Sequence, residues 1–304
     1  MSLRLPHPIP YQGSKRSLAP LIRPYIPSGI ERFYEPFAGS AAMTIFAAHH
    51  QIARQYIIAD ALAPIVDLLQ LIVEKPNEVA SSYKEIWLGQ NDKNIDYFNE
   101  VRARFNAERS PVDLLYLICR CVKNAIRFNA AGNFTQSVDK RRLGMNPSKM
   151  SEAVAGVSFL LRGKVEFRIG DWMDTTNDAG PGDFLYLDPP YFGTSVGRDK
   201  RYFQQLSLEQ LTNGIQSLNQ RSVRFALSYD GMTGEKVYGP PLSKELYLKR
   251  LLLYAGTSSQ STLSGKKEDT VESLYLSQSI PITEPKLGIL GKKEPVRYGQ
   301  RMFF

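Results

Sequence analysis

RFYEPFAGSAA, residues 32–42, decides how the chain is to be read. Aromatic and apolar residues come first, then an acid, a proline, a glycine and a run of small residues. That order predicts a short buried strand over 32–35, a turn around Gly39 and a helix opening near Ser40. RQYIIAD (54–60) predicts a second strand ending at Asp60, and PIVDLLQLIVEK (64–75) a helix. Successive strand–helix units build a parallel sheet with helices on its faces.

The same rhythm returns late in the chain. KVEFRIGD (164–171), DFLYLDPPY (183–191) and RFALSYDG (224–231) each contain a strand pattern, and LSLEQLTNGIQSLNQ (206–220) has helical spacing. LYLKRLLLYA (246–255) and ESLYLSQS (272–279) predict two further strands forming an antiparallel edge hairpin. Between the two halves the pattern is helical up to Ile126. It then changes to FNAAGNFTQSVDKRRLG (128–144), where Gly132-Asn133 and Gly144 signal turns around short strands. The fold class is therefore α/β: a Rossmann-like, mostly parallel sheet with an antiparallel edge hairpin, interrupted by a mostly helical insert. The division expected is 1–75 and 156–280 for the sheet domain, 76–155 for the insert, and 281–304 for a weakly periodic tail.

A length of 304 residues, 43% of them hydrophobic and 22% charged, fits one large globular domain with an insert. No apolar stretch has the length of a membrane span, and MSLRLPHPIPYQGSK lacks a signal peptide's apolar core, so a cytoplasmic protein is expected. Cys119 and Cys121 lie two apart in an apparently helical LLYLICRCVKNAI, and His7, His49 and His50 show no ligand spacing. No metal is expected. The net charge of +8 is concentrated: residues 102–149 hold ten Lys or Arg against three acids. Such a segment suggests a polyanionic partner, although on charge alone a solvated helical face is the better reading.

The turn at Gly39 and the acid Asp60 stand at the spacing with which a carboxylate bonds a ribose hydroxyl at the end of the next strand. One glycine, where GxGxxG has three, leaves fewer amides to close around a pyrophosphate. A phosphate-free adenosine ligand fits better, which favours S-adenosylmethionine over a nicotinamide dinucleotide. Glu35 beside the turn would repel phosphates and attract an amine or sulfonium. Taken alone, EPFAGS also fits a plain strand–helix connection.

DPPY (188–191) ends a buried strand with residues that cannot continue a ladder. In an open α/β sheet the strand ends form the ligand rim, so Asp188 shares a rim with Glu35 and Asp60. An exocyclic amine on a nucleobase is a poor nucleophile because its lone pair is delocalised into the ring. The carboxylate of Asp188 and the carbonyl of Pro189, accepting its N–H bonds, would draw it toward tetrahedral geometry, with Pro190 keeping the loop rigid. Tyr191 offers a flat face on which an extruded base can stack.

PYQGSK (10–15), EPFAGSA (35–41), ADALAPIVDLL (59–69), NAIRFNAAGNFTQSVDKRRLG (124–144) and DPPY together resemble the Dam-like adenine-N6 DNA methyltransferases of the D12 class. The resemblance spans roughly residues 9–280 and implies an S-adenosylmethionine-dependent enzyme with a Rossmann-like methyltransferase sheet, a target-recognition insert and base flipping. It implies cofactor contacts from Tyr11, Gln12 and Lys15, the last toward the methionine carboxylate. The motif around the turn, Glu35, Pro36, Phe37, Ala38, Gly39 and Ser40, adds to these, as do Asp60 and Asp188. Asp171 and Trp172 in FRIGDWMD occupy the place expected beside the adenine of the cofactor. Asp188, Pro189, Pro190 and Tyr191 carry over as catalytic positions.

The DNA-contacting hairpin of the family maps to Arg127, Asn129, Asn133, Gln136, Lys140, Arg141 and Arg142. The three cations at 140–142 suit phosphates, and Gln136 or Asn133 a base edge. Two departures stand out: Tyr11 replaces the usual tryptophan, and Thr135-Gln136-Ser137 replaces the asparagine and proline that usually follow the hairpin phenylalanine. The second removes the basis for assuming a GATC-like target. The implied partner is double-stranded DNA, in the cytoplasm, within a restriction–modification system beside a cognate endonuclease or as an orphan or phage-type methylase. Other readings remain open: a methyltransferase of RNA adenine, cytosine N4 or protein glutamine, or a non-catalytic DNA-binding module with a vestigial cofactor fold.

Overall fold

The computed structural model describes residues 5–91, 95–190, 206–257, 268–282 and 289–291. Five parallel strands form the main part of the sheet: β1 (Ile30–Glu35), β2 (Ala53–Asp60), β3 (Val165–Ile169), β4 (Phe184–Leu187) and β5 (Arg224–Thr233). The order is β3-β2-β1-β4-β5, continued by β8 (Asp269–Leu276), β7 (Lys249–Thr257) and β9 (Ile289–Leu290), while β6 (Lys236–Tyr238) pairs with β5. β8 runs antiparallel to both β5 and β7, which gives the expected antiparallel pair. β9 adds to β7 in parallel, so the tail expected to pack loosely contributes a short strand.

Sequence explains the central positions. FLYL of β4 is buried throughout, as a strand covered on both faces requires. β2 is exposed at its start and buried over its last apolar residues. Where β4 departs from β1, Asp183 accepts from the backbone, Nε and Nη2 of Arg32 at 3.2, 3.2 and 2.7 Å. The chain lays β1, β2 and β3 outward in one direction, then returns to place β4 on the other side of β1. The strand order reverses there, and in such sheets a crevice opens at the carboxyl ends of the strands flanking the reversal.

The helix after β1, α2 (Ala42–His49), begins two residues later than expected, because Ala41 takes a left-handed conformation with φ +53°. A short helix α1 (Ala19–Ile22) precedes β1, and α3 (Ala63–Glu74) follows β2. The insert supplies α4 (Pro76–Gly89), α5 (Ile95–Glu108) and α6 (Pro111–Arg120). An irregular arm follows, and then α7 (Pro147–Leu161) leads into β3. α7 runs straight through the division expected at 155/156. It packs on α3 with Ser158 donating to the Val73 carbonyl at 2.6 Å, and apolar residues of α3, α6 and α7 share one core. α6 ends at Arg120, so Cys121 lies outside the helix; both cysteines are buried free thiols. α8 (Trp172–Thr175) follows β3, and α9 (Leu208–Gln220) opens on a Ser207/Gln210 capping box. No helix among the described residues is long and apolar enough to cross a membrane.

Candidate active site

The carboxyl ends of β1, β2 and β4 open into a cavity of about 970 Å³. Its wall includes Tyr11, Gln12 and Lys15, every residue of the 35–40 turn, Asp60, Asp171 and Trp172, and Asp188, Pro189 and Pro190. The residues expected from sequence at the cofactor site are thus brought together. Tyr191 lies outside the described residues.

Gly39 is required twice over. Its φ is +48°, and a Cβ there would stand 3.0 Å from Cζ of Tyr11, so the turn can receive the Tyr11 ring only without a side chain. The Gly39 amide donates to Asp60 Oδ2 at 3.0 Å, and Oδ1 accepts from the Leu62 amide at 2.9 Å. Burial raises the Asp60 carboxyl above its ordinary range, against the pull of the Gly39, Leu62 and Ala61 amides.

Glu35 lines the cavity and is also engaged from the protein side. Its oxygens accept from the amides of Met43 (3.3 Å) and Thr44 (2.7 Å) and from the Thr44 hydroxyl (2.6 Å). It caps α2 from beneath, a task usually given to the residue before a helix; here that position is Ala41, which has no such side chain. Burial pushes the Glu35 carboxyl up to about 7, opposed by those same bonds. The Met43 and Thr44 amides in the first turn of α2 are therefore occupied, as is that of Gly39.

Lys15, on the same wall, stands between two carboxylates. Its Nζ stands 2.8 Å from Asp188 Oδ1 and 3.5 Å from Glu272 Oε2, with its side chain only 8% exposed. Burial works against the lysine charge, but Asp188 and Glu272 together outweigh it and hold the ammonium above its usual pKa. Burial pushes the Asp188 carboxyl up to about 6; Lys15 opposes this and Glu272 adds to it. A cluster with two carboxylates and one ammonium keeps the ammonium charged while making a carboxylate easier to protonate. Glu272, in the middle of β8, was not singled out in the sequence, where a lone glutamate on a strand gives no signal.

On the far side, Asp171 caps α8 through the Met173 amide at 2.8 Å and stays exposed. Trp172 is buried, its ring centroid 5.8 Å from that of Phe37. The indole lies so close to α9 that a Cβ on Gly214 would come within 2.1 Å of it, which explains a glycine in mid-helix.

The arm reaches the same cavity: Ala125, Ile126 and Phe128 line it. The Gln12 amide donates to the Asn124 carbonyl at 3.2 Å, tying arm to cofactor segment. The arm holds isolated antiparallel bridges at Phe128–Phe134 and Cys121–Val138. Gln136, expected to read a base edge, is buried, and its amide donates to the Val122 carbonyl at 3.3 Å, so it braces the arm. Asn129 Oδ1 accepts from Ala131 and Asn133 at 3.0 Å, holding the turn, while Asn133 Oδ1 accepts from Arg109 at 3.1 Å. Both asparagines serve the turn's own geometry.

The basic surplus of the insert is partly internal wiring. Arg120 is fully buried and donates to the carbonyls of Asp139 and Arg142; Arg104 pairs with Asp113 at 2.5 Å. Arg127 is half-buried. Lys140, Arg141 and Arg142 are exposed, the two arginines anchored to buried Asp139 at 3.2 and 3.0 Å. Arg142 also donates to Asn124 and to the Cys121 carbonyl.

Comparison with known proteins identifies the family. The family model of the D12 class N6 adenine-specific DNA methyltransferases matches residues 11–282, and the chain belongs to that family. It is 27% identical over 305 aligned residues to the modification methylase StsI of Streptococcus sanguinis, covering 92% of this chain and 44% of that protein. It is 24% identical over 281 residues to the type II methyltransferase M.FokI of Planomicrobium okeanokoites, covering 88% of this chain and 42% of that protein. Over 214 residues it is 24% identical to a DNA N-6-adenine-methyltransferase of Escherichia phage P1, with 66% of this chain and 27% of that protein covered. The chain thus spans less than half the length of these relatives.

Proposed function

We propose that this chain transfers a methyl group from S-adenosylmethionine to N6 of an adenine flipped out of duplex DNA. The observation that carries the reading is one cavity walled by the Gly39 turn, by Asp188 with its two prolines, and by the arm of the insert. At about 970 Å³ it is at the upper end of the range of small-molecule sites, which suits a cofactor and a base together. Acid residues line it where a dinucleotide site would present free amides, as a cationic, phosphate-free cofactor requires.

Bound there, the cofactor supplies an electrophilic methyl: the S–CH3 bond breaks, a C–N bond forms, sulfur keeps the electron pair, and the amine nitrogen gives up a proton. Lys15 holds Oδ1 of Asp188, leaving the other oxygen to accept an amine N–H beside the Pro189 carbonyl. A carboxyl poised near 6 is a fitting acceptor close to neutral pH. Tyr191 belongs to the proposal as the stacking surface.

The exposed 140–142 cations suit backbone phosphates, and the insert, 76–155 or with all of α7 included, acts as the target-recognition unit. The names of the relatives support a restriction–modification setting with a cognate endonuclease, and the work would be done on DNA in the cytoplasm. The test is a tritiated-methyl assay offering plasmid DNA, RNA and protein. Label should enter DNA as N6-methyladenine, and Asp188→Ala should abolish transfer while cofactor binding by calorimetry persists. Label in RNA, cytosine or protein instead, or an Asp188→Ala variant near wild-type activity, refutes the reading.

A further inference from the structure

Glu272 does not line the cavity, yet it reaches the Lys15 ammonium that holds Asp188. We propose that Glu272 is a positioning residue for methyl transfer: it shares the Lys15 ammonium, fixes it on one oxygen of Asp188, and leaves Asp188 able to accept a hydrogen bond from the target amine. The inference rests on the proposed adenine methylation at this site and adds a third member to its charged centre.

Lys15 has Asp188 at 2.8 Å and Glu272 at 3.5 Å, and the side chains of the two acids are 20% and 18% exposed. A single carboxylate would neutralise the ammonium. Adding a second to a buried group leaves an excess negative charge that costs stability, so stability alone does not account for it. With only Asp188 as partner, Lys15 would draw on both of its oxygens and blunt its power to accept. A second carboxylate on the same ammonium splits that demand and restrains the long lysine stem.

The backbone is arranged to deliver this contact. Between Ser228 and Gly231 the β5 strand carries one more residue than the facing stretch of β8, and this bulge sets Glu272 opposite Gly231. Asp230 within the bulge is left-handed at φ +54°, its carboxylate accepting from Arg250 at 2.9 Å and from the Tyr275 hydroxyl at 2.5 Å. At Gly231 a Cβ would stand 2.6 Å from the Val271 carbonyl oxygen, so the two strands can approach there only with a glycine. The bulge, the strained aspartate and the glycine all serve the register that brings Glu272 to the rim.

The charged and titratable groups facing Asp188 are Lys15 of the N-terminal segment, Glu35 at the end of β1 and Glu272 of β8, with Tyr186 of β4 beside Lys15. Of these, Glu272 is the one off the cavity wall that raises the Asp188 carboxyl, so its removal has a defined sign: Asp188 titrates at lower pH.

The experiment compares wild type, Glu272→Gln and Glu272→Asp, using the whole chain. Methylation of plasmid DNA is followed against pH, and the Asp188 carboxyl is titrated by NMR after selective labelling. Glu272→Gln should lower kcat about tenfold with little change in KM for S-adenosylmethionine, and move the acid limb downward by about one pH unit. Glu272→Asp, which keeps the charge, should return the limb toward wild type even where kcat stays low. An unshifted limb in Glu272→Gln, or a limb equally shifted in both variants, overturns the proposal. Should Glu272→Gln fail to fold, Glu272→Asp alone decides: a wild-type limb supports the role and a lowered one refutes it. Should wild type methylate no DNA, the adenine reading fails, while the Asp188 titration still tests the Glu272 linkage separately.

Discussion

Glu35 sits where two opposed physical effects meet, and Glu35→Gln separates them. Burial disfavours its charge, while the Met43 and Thr44 amides and the Thr44 hydroxyl favour it. Burial is the larger effect, raising the carboxyl from 4.5 to about 7. Its folded-state value lies above its unfolded one, so the stability it contributes is fully present below about 4.5 and is lost as pH rises through about 7. At pH 8 the wild type has thereby given up about 3 kcal/mol. Glutamine has nearly the same shape, occupies the neutral state at every pH and loses nothing over that interval.

The expected outcome is that denaturant unfolding at pH 5 and at pH 8 shows the variant gaining about 2.5 kcal/mol on wild type between the two, part of the loss being already present at pH 5. Comparing the two proteins cancels groups common to both. The cost appears in function: at pH 8 affinity for S-adenosylmethionine, read by calorimetry, should fall about tenfold for the loss of one charged contact. If the difference in stability stays flat with pH, or the variant loses ground at pH 8, the hydrogen bonds outweigh burial and the reasoning fails.

Gly39→Ala places a Cβ 3.0 Å from the Tyr11 ring at φ +48°, so about 1–2 kcal/mol of backbone strain should show in unfolding. Cofactor affinity should drop with it; unchanged affinity would detach Tyr11 from the site. Arg141→Ala removes an exposed cation from the 140–142 group and should weaken binding to all DNA sequences alike, lowering the salt-dependence slope by about one. A slope equal to wild type would take Arg141 out of the phosphate contacts.

The strands were legible because their runs are short, apolar and bounded: FLYL could be little other than a buried strand, and Asp60 and Asp188 mark strand ends in the sequence itself. Positions along the rim followed from that alone. Less legible was where each polar group's hydrogen bonds go. That Glu35 also holds α2 was not legible, because the sequence does not say that Ala41 would leave the helix uncapped beneath it. Gln136 looked like a base reader because a glutamine in a basic turn reads the same whether it faces solvent or the Val122 carbonyl. Glu272 and Lys15 lie near opposite ends of the chain, and only the bulge in β5 brings them together. Nor does the charge count say which cations are internal: Arg120 and Arg104 are bound within the insert, while Lys140, Arg141 and Arg142 are exposed.

The sheet reversal between β1 and β4 is the place where α/β folds commonly hold anionic nucleotides, with the free amides of the following helix as the attraction. Here the same backbone presents the opposite face. Glu35 takes the Met43 and Thr44 amides, and Asp60 takes that of Gly39. Their carboxylates, with Asp188, then stand on the cavity wall in place of the donors they have engaged. Substituting acids for free amides changes the preferred ligand from phosphate to cation without altering the course of the chain. It also keeps a carboxyl near 6 within reach of an incoming amine, because burial raises Asp188, with Glu272 adding to the shift and Lys15 opposing it. On the proposed reading, the binding preference and the proton acceptor share one origin, the burial of carboxylates at one rim, with Lys15 as the ammonium held among them.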